Sequence, residues 1–234
     1  NTGNAITDGK LIDYQLVTIV ATNKEVEHSI VKNKLVKYKQ EFEDEESNYL
    51  GCIIMILKKM NDGTCFHLVT YHNTVKRCNK FRDLLIKIND ELKYEKLFVE
   101  SMDGSTSMSK RKKIVKEYAR SEKGILCSAK VLNEGVNIPI IDSVCFVDNR
   151  NSTIDIVQCV GRSMRLSNEK KMAYVFVPTF VDDLDNVDIK AYGNVISVLK
   201  SMKSTDEGIS EYFGNNIKGN KMRGRKIFVI DRFA

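Results

Sequence analysis

The feature that most restricts this 234-residue chain is an alternation: short, continuously apolar runs recur between long amphipathic ones. "CFHLVTY" (65–71) reads as a strand and "NTVKRCNKFRDLLIKINDEL" (73–92) as a helix with Asn73 at its N-cap. "KLFVES" (96–101) is a strand and "SKRKKIVKEYARSEK" (109–123) a helix. "GILCSA" (124–129) and "DSVCFVD" (142–148) are strands, followed by the helix "STIDIVQCVGRSMR" (152–165), capped by Ser152 or Thr153. "MAYVFVPT" (172–179) closes as a strand, and 187–203 is helical. Apolar runs without polar alternation belong to strands buried on both faces. Their alternation with helices predicts an α/β fold, a parallel sheet flanked by helices on both faces.

The flanks extend this pattern. "LIDYQLVTIVA" (11–21) is rich in β-branched residues and predicts a strand. A long charged helix is expected over 22–46, with the acidic "EFEDEES" as its solvated face, and a more apolar helix over 48–61. The tail, 205–234, carries "IKGNKMRGRK", with five basic residues and no acidic one, and then the strand-like "IFVID". The expected organisation is an N-terminal strand with helices (1–63), an α/β core (64–204) and a basic C-terminal extension (205–234).

Composition narrows the function classes. Hydrophobic residues make up 42% and charged residues 29%, which suits a soluble globular protein. No apolar run approaches the ~18 residues of a membrane span, so no membrane partner is expected. The net charge of +6 permits a nucleic-acid or phosphate partner without requiring one. None of the six cysteines forms a C-x-x-C pair and several lie in apolar runs. That usage predicts free thiols in a reducing, intracellular compartment, whether cytoplasmic, nuclear or viral. The three histidines fall in no metal-ligand pattern, so no metal site is expected in the chain. The chain opens at Asn1 with no methionine and is expected to be a piece of a longer protein.

Two segments imitate nucleotide motifs. "GNAITDGKL" (3–11) resembles a phosphate loop, but its second glycine falls one residue late, Leu11 replaces the hydroxyl and no strand precedes it. "DEES" (44–47) resembles a D-E-x-x box but follows a polar helix where the box needs an apolar strand.

The chemistry gathers in "QCVGRSMR" (158–165). At about 100° per residue, Gln158, Arg162 and Arg165 fall within roughly 60° of arc on one helix face. An amide and two fixed cations on one face fit an anion. Upstream, Ser128 and Lys130 follow one apolar strand, and Asp148 and Asn149 end the next. In a parallel sheet, ligands collect at such strand C-termini.

These segments, in this order, resemble the C-terminal RecA-like domain of a superfamily 2 helicase. "QCVGRSMR" matches motif VI, Q-x-x-G-R-x-x-R, and "ILCSAKVLNEGVNIP" (125–139) is similar to motif V. "FHLVTYHNTVKRCNKF" (66–81) resembles motif IV, and "MDGSTSMSKRKKIV" (102–115) the G-x-x-x-x-x-x-R segment after it. The "NEG" before the turn and the "GKLIDY" (9–14) strand look closer to the restriction and repair branches than to DEAD-box proteins. The resemblance implies that Arg162 and Arg165 are arginine fingers and that Gln158 bonds near the γ-phosphate or the attacking water. It places Gly135 and Asn137 at the ribose, with Asn137 where the family commonly has Asp. It places Thr70, Gly104, Ser128 and Lys130 along the phosphates of a DNA or RNA strand. Ala129 stands where motif V often carries Thr, which weakens one phosphate contact. Cys159 and Met164 read as core packing.

The chain carries neither a phosphate loop nor a D-E-x-x box of its own. ATP and Mg²⁺ would then be bound mainly by an N-terminal RecA-like domain, the partner of this one, and this chain alone would be inactive. The rival expectation is a catalytically idle RecA-like module that binds nucleic acid or protein; a flavodoxin-like small-molecule enzyme ranks last.

Overall fold

The computed structural model describes residues 1–39, 48–94, 96–129, 138–168, 170–185, 188–217 and 225–233. After a short helix, α1 (Thr2–Thr7), the first strand β1 spans Asp13–Thr22. The chain continues through α2 (Asn23–Lys32), α3 (Val36–Lys39) and α4 (Asn48–Asn61). The alternating core follows: β2 (His67–His72), α5 (Val75–Leu92), β3 (Phe98–Met102), α6 (Met108–Arg120), β4 (Gly124–Ala129) and β5 (Ser143–Phe146). It ends with α7 (Thr153–Ser163), β6 (Met172–Val181), a 3-10 turn (Ile189–Tyr192), α8 (Gly193–Lys203), α9 (Gly208–Ile217) and β7 (Phe228–Arg232).

The seven strands form one sheet in the order β3-β4-β2-β5-β6-β1-β7, and every pairing is parallel. This is the expected RecA-like α/β architecture. Strands β2, β4 and β5 are buried along their whole length, as their unbroken apolar runs require. One face packs on α2, α4 and α5, the other on α6, α7, α8 and α9. The six cysteines are free and buried. No helix among the described residues is long and apolar enough to cross a membrane.

Several expectations change in detail. The stretch read as one long helix over 22–46 breaks after Lys32. Lys34 takes a left-handed φ of 58° and the Leu35 N–H reaches back to the Ile30 carbonyl, a tight helix stop. The acidic "EFEDEES", and with it "DEES", lies outside the described residues. Thr74, not Asn73, caps α5, its hydroxyl accepting from the Arg77 N–H at 3.2 Å. The 3–11 segment forms α1 and a turn and no phosphate loop. The flanks are built into the sheet: β1 lies between β6 and β7, and the C-terminal segment supplies α9 and β7.

Candidate functional site

Because all strands run in one direction, their C-terminal ends share one edge. From β2 the chain crosses to β3 on one side of the sheet, and from β5 to β6 on the other. The neighbours β2 and β5 therefore flank the topological switch point, where α/β sheets open a ligand crevice. His72 and Asn73 end one strand there; Asp148, Asn149 and Arg150 follow the other. Cavities of about 440 and 460 Å³ open at this edge and share Asn73 and Asn149 in their walls.

Asp148 organises the crevice. Its carboxylate accepts from Arg77 Nε and Nη2 (3.0 and 2.7 Å), from the Asn73 N–H (2.8 Å) and from the Tyr49 hydroxyl (3.3 Å). The Arg77 guanidinium also lies 5.1 Å from the centre of the Tyr49 ring. Asn73 Nδ2 donates to the Asn149 carbonyl at 3.2 Å, closing the two turns on each other. Arg150 lies 5.1 Å over the Tyr71 ring and 3.9 Å from Asp155. His72 is buried, with Nε2 2.9 Å from Thr70 Oγ1, and burial lowers its pKa to about 4. It is therefore neutral at pH 7.

Helix α7 starts beside this crevice. The Ser152 hydroxyl caps it by accepting from the Asp155 N–H, and Asp155 complements the positive end of the helix dipole. Ile156, Cys159, Val160 and Met164 pack into the core, as expected for Cys159 and Met164. Gln158 is exposed, whereas Arg162 is only 9% exposed. Burial pushes the Tyr71 phenol well above its ordinary pKa, while Arg162 and Arg150 oppose that shift from nearby.

The expectation of a single helix face for Gln158, Arg162 and Arg165 is corrected. The helix ends at Ser163 with Met164 as C-cap, so Arg165 follows the helix on a turn. The end is fixed by tertiary bonds: the Ile12 N–H donates to the Met164 carbonyl (2.9 Å) and Lys170 Nζ to the Ser163 carbonyl (2.8 Å). Ser163 Oγ turns back to the Val160 carbonyl at 2.8 Å. These contacts satisfy carbonyls that a continuing helix would have used.

The strand-contact candidates divide. Gly104 is exposed on the same edge, just past β3, in a turn held by Asp103. Hydrogen bonds to Ser105 hold the Asp103 carboxyl below its usual pKa. Thr70 and Ser128 are both 0% exposed and lie inside β2 and β4, so neither can meet a ligand phosphate in this arrangement. The Thr70 hydroxyl is taken up inside the sheet by His72 Nε2. Lys130, Gly135 and Asn137 lie outside the described residues. Gln158, Arg162 and Arg165 stand in one short segment; the structure adds Arg77 and Arg150, for which no role was expected from sequence, and Asn73, expected only as a cap, beside Asn149, which was placed at a ligand-collecting strand end. Their signal was present: "HNT" and "DNRNS" are polar clusters directly after apolar runs. Among the described residues no group of His, Cys, Asp or Glu gathers to hold a metal.

A model for the helicase conserved C-terminal domain matches residues 48–167. The probable helicase A859L of African swine fever virus (isolate Tick/South Africa/Pretoriuskop Pr4/1996) is 25% identical over 142 residues, covering 56% of this chain and 16% of that protein. The putative mitochondrial ATP-dependent helicase irc3 of Schizosaccharomyces pombe is 25% identical over 127 residues, covering 54% of this chain and 19% of that protein. The chain thus aligns with less than a quarter of the length of these curated relatives. Among solved structures, the ATP-dependent Type ISP restriction-modification enzyme LlaBIII bound to DNA superposes with a TM-score of 0.77 at 20% identity. That match covers 98% of this chain and 16% of the enzyme. The related enzyme LlaGI, a nuclease-deletion mutant in complex with a DNA substrate mimic, gives 0.56 at 17% identity, over 99% of this chain and 13% of that one. At such identities the superpositions establish the fold.

Proposed function

The chain belongs to the family of conserved helicase C-terminal domains, and from that membership we propose that it is the second motor domain of an ATP-dependent superfamily 2 helicase or translocase. In this reading Arg162 and Arg165 are the arginine fingers, and Gln158 orients the γ-phosphate or the attacking water. Phosphoryl transfer spreads negative charge over the γ-phosphate oxygens, and fixed guanidinium groups stabilise it. The first RecA-like domain supplies the phosphate loop and the Mg²⁺ ligands. The donor set described here does not fit Mg²⁺, since Asp148, the buried carboxylate of the crevice, is committed to Arg77, and no step is assigned to the ion in this chain. A DNA or RNA strand runs along the C-terminal edge, gripped through phosphates and nearly blind to sequence. Gly104 and Lys130 stay in that role, Asn73 and Asn149 join them, and Gly135 and Asn137 remain the ribose contacts.

One observation carries the reading. Segments 72–77 and 148–155 are far apart in the chain, yet they meet at the switch point, where Asp148 takes Arg77 and the Asn73 N–H, and from there α7 carries Gln158, Arg162 and Arg165 towards the opposite edge of the sheet. A merely idle module of this fold needs no such convergence of amides and arginines.

The test is made in the full-length protein. Arg165→Ala is expected to lower ATP turnover by about 10³-fold or more, the scale of a lost arginine finger, while nucleotide affinity changes far less. Arg162→Ala behaves similarly, with its unfolding temperature measured because the side chain is largely buried. Normal turnover in both variants would favour the idle module. The isolated 234-residue chain should hydrolyse no ATP.

A further inference from the structure

Arg165 leaves α7 on a turn, yet a group that stabilises a transition state has to be held within a fraction of an ångström. What holds this turn, together with the Ile12 N–H, is Lys170. Its ammonium donates to two backbone carbonyls: Ser163, the last residue of α7, at 2.8 Å, and Ile141, just ahead of β5, at 2.6 Å. The Lys170 N–H also bonds the Ser167 carbonyl at 3.4 Å, closing the loop between helix and lysine. A cation at the negative end of a helix dipole is favourable in itself. The second bond makes the arrangement specific. Ile141 follows the segment resembling motif V, so one ammonium ties the exit of that segment to the end of the motif VI helix.

The charge belongs to the arrangement. Burial lowers the Lys170 pKa to about 8; Asp142 opposes that shift, and the cation of Arg165 adds to it. The group is still an ammonium at pH 7, and the two cations are close enough to feel each other. Asp142 in turn accepts from the N–H groups of Phe66 (2.7 Å) and His67 (3.2 Å), which fixes it at the start of β2. Asp142 thus anchors the segment after Ile141 to the start of β2.

We propose that Lys170 is a positioning residue for Arg165, clamping the end of α7 to the Ile141 segment so that the finger is presented in one geometry. This rests on the arginine-finger reading above. It requires no contact between Lys170 and ATP.

The experiment uses the full-length protein and four variants: Lys170→Met, Lys170→Arg, Arg165→Ala and the double variant Lys170→Met/Arg165→Ala. Steady-state ATP turnover with saturating single-stranded nucleic acid and thermal unfolding are measured for each. Lys170→Met should lower kcat by about 10²-fold, the scale of a misplaced catalytic group, with KM for ATP within about 3-fold. Lys170→Arg, which keeps charge and donors, should recover most of that loss. In the Arg165→Ala background, Lys170→Met should cost less than about 2-fold, because a clamp has nothing left to position. If Lys170→Met fails to fold, Lys170→Gln carries the same comparison. Equal losses in both backgrounds would make Lys170 a purely structural residue and overturn the proposal while leaving the finger intact. Normal turnover in Arg165→Ala is a different result: it removes the finger reading and this role together.

Discussion

Two clusters of the same three residue types stand at opposite edges of the sheet. At the C-terminal edge, buried Asp148 takes a two-pronged contact from Arg77, whose guanidinium lies 5.1 Å from the centre of the Tyr49 ring, and the Tyr49 hydroxyl donates to Asp148. At the N-terminal edge, buried Asp206 pairs with Arg225, whose guanidinium lies 5.3 Å over Tyr14, and the Tyr14 hydroxyl donates to Asp206 at 3.0 Å. The parts are alike and the surroundings are not. Arg225 is shared with Asp13, and the cluster ties β1, the α8–α9 turn and the start of β7 together. Asp148 instead holds the turns after β2 and β5, beside the 440 Å³ cavity. A buried Asp–Arg–Tyr group is therefore no sign of a functional site. Its place relative to the switch point makes one cluster a latch for the C-terminal strand and the other the frame of a crevice.

The sharpest way to break this contrast is to remove each aspartate. Asp206→Ala and Asp148→Ala should each cost roughly 3–5 kcal/mol of stability, the penalty for stripping one partner from a buried ion pair. Urea unfolding of the 234-residue chain measures it. Only Asp148→Ala should also lower nucleic-acid-stimulated turnover of the full-length protein, by about 10-fold or more at a temperature where the variant stays folded. Equal turnover losses in the two variants would erase the distinction between latch and frame.

The clusters differ also in their response to acid. His72, beside the Asp148 cluster, has a folded pKa of about 4 because it is buried. Its unfolded value is near 6.5. Between those values the unfolded chain binds the proton and the folded chain does not. Stability is therefore fully present above about pH 6.5 and lost as pH falls through about 4, by up to about 3 kcal/mol. His72→Gln should flatten that part of the pH–stability curve. The Asp206 cluster contains no histidine, so Asp206→Ala should leave the same slope in place. A wild-type slope unchanged by His72→Gln would mean that the ring titrates normally and is not sealed in the sheet.

What was legible in the sequence followed the local code. β4 was read to the residue, because an apolar run bounded by a glycine and a small-residue end describes a buried parallel strand without outside help. The misreadings at the site involve partners remote in sequence. The periodicity of "STIDIVQCVGRSMR" runs on to Arg165, and the helix stops two residues earlier because Ile12, about 150 residues away, meets its end. Thr70 and Ser128 lie close to strand ends, but β2 and β4 are buried along their whole length, which only the folded sheet reveals. Asp148 and Asn149 could be placed at a strand end from sequence, but the bond from Arg77 spans 71 residues and only the folded sheet reveals it. The tail's "IFVID" was read as strand-like, but its place in the sheet beside β1 was not foreseen.

The smallest expected effect bears most directly on where a strand binds. Deleting the tail is not a clean test, because it would remove β7 and the Arg225 latch along with the basic residues. Substituting Lys218, Lys221 and Arg223 by alanine removes charge and keeps both. The isolated chain should bind single strands weakly, with Kd on the order of 10–100 μM at moderate salt, and log affinity should fall with log salt with a slope of about −2 to −3. Lys130→Ala should reduce that slope by less than about one unit, since each neutralised phosphate contributes roughly 0.7. The triple alanine variant should leave it unchanged, because the proposed phosphate contacts stand on other segments of the chain. Fluorescence anisotropy over a salt series resolves the difference. If the triple variant flattens the slope while Lys130→Ala does nothing, strand binding belongs to the tail. The switch-point crevice would then lose its claim to the nucleic acid.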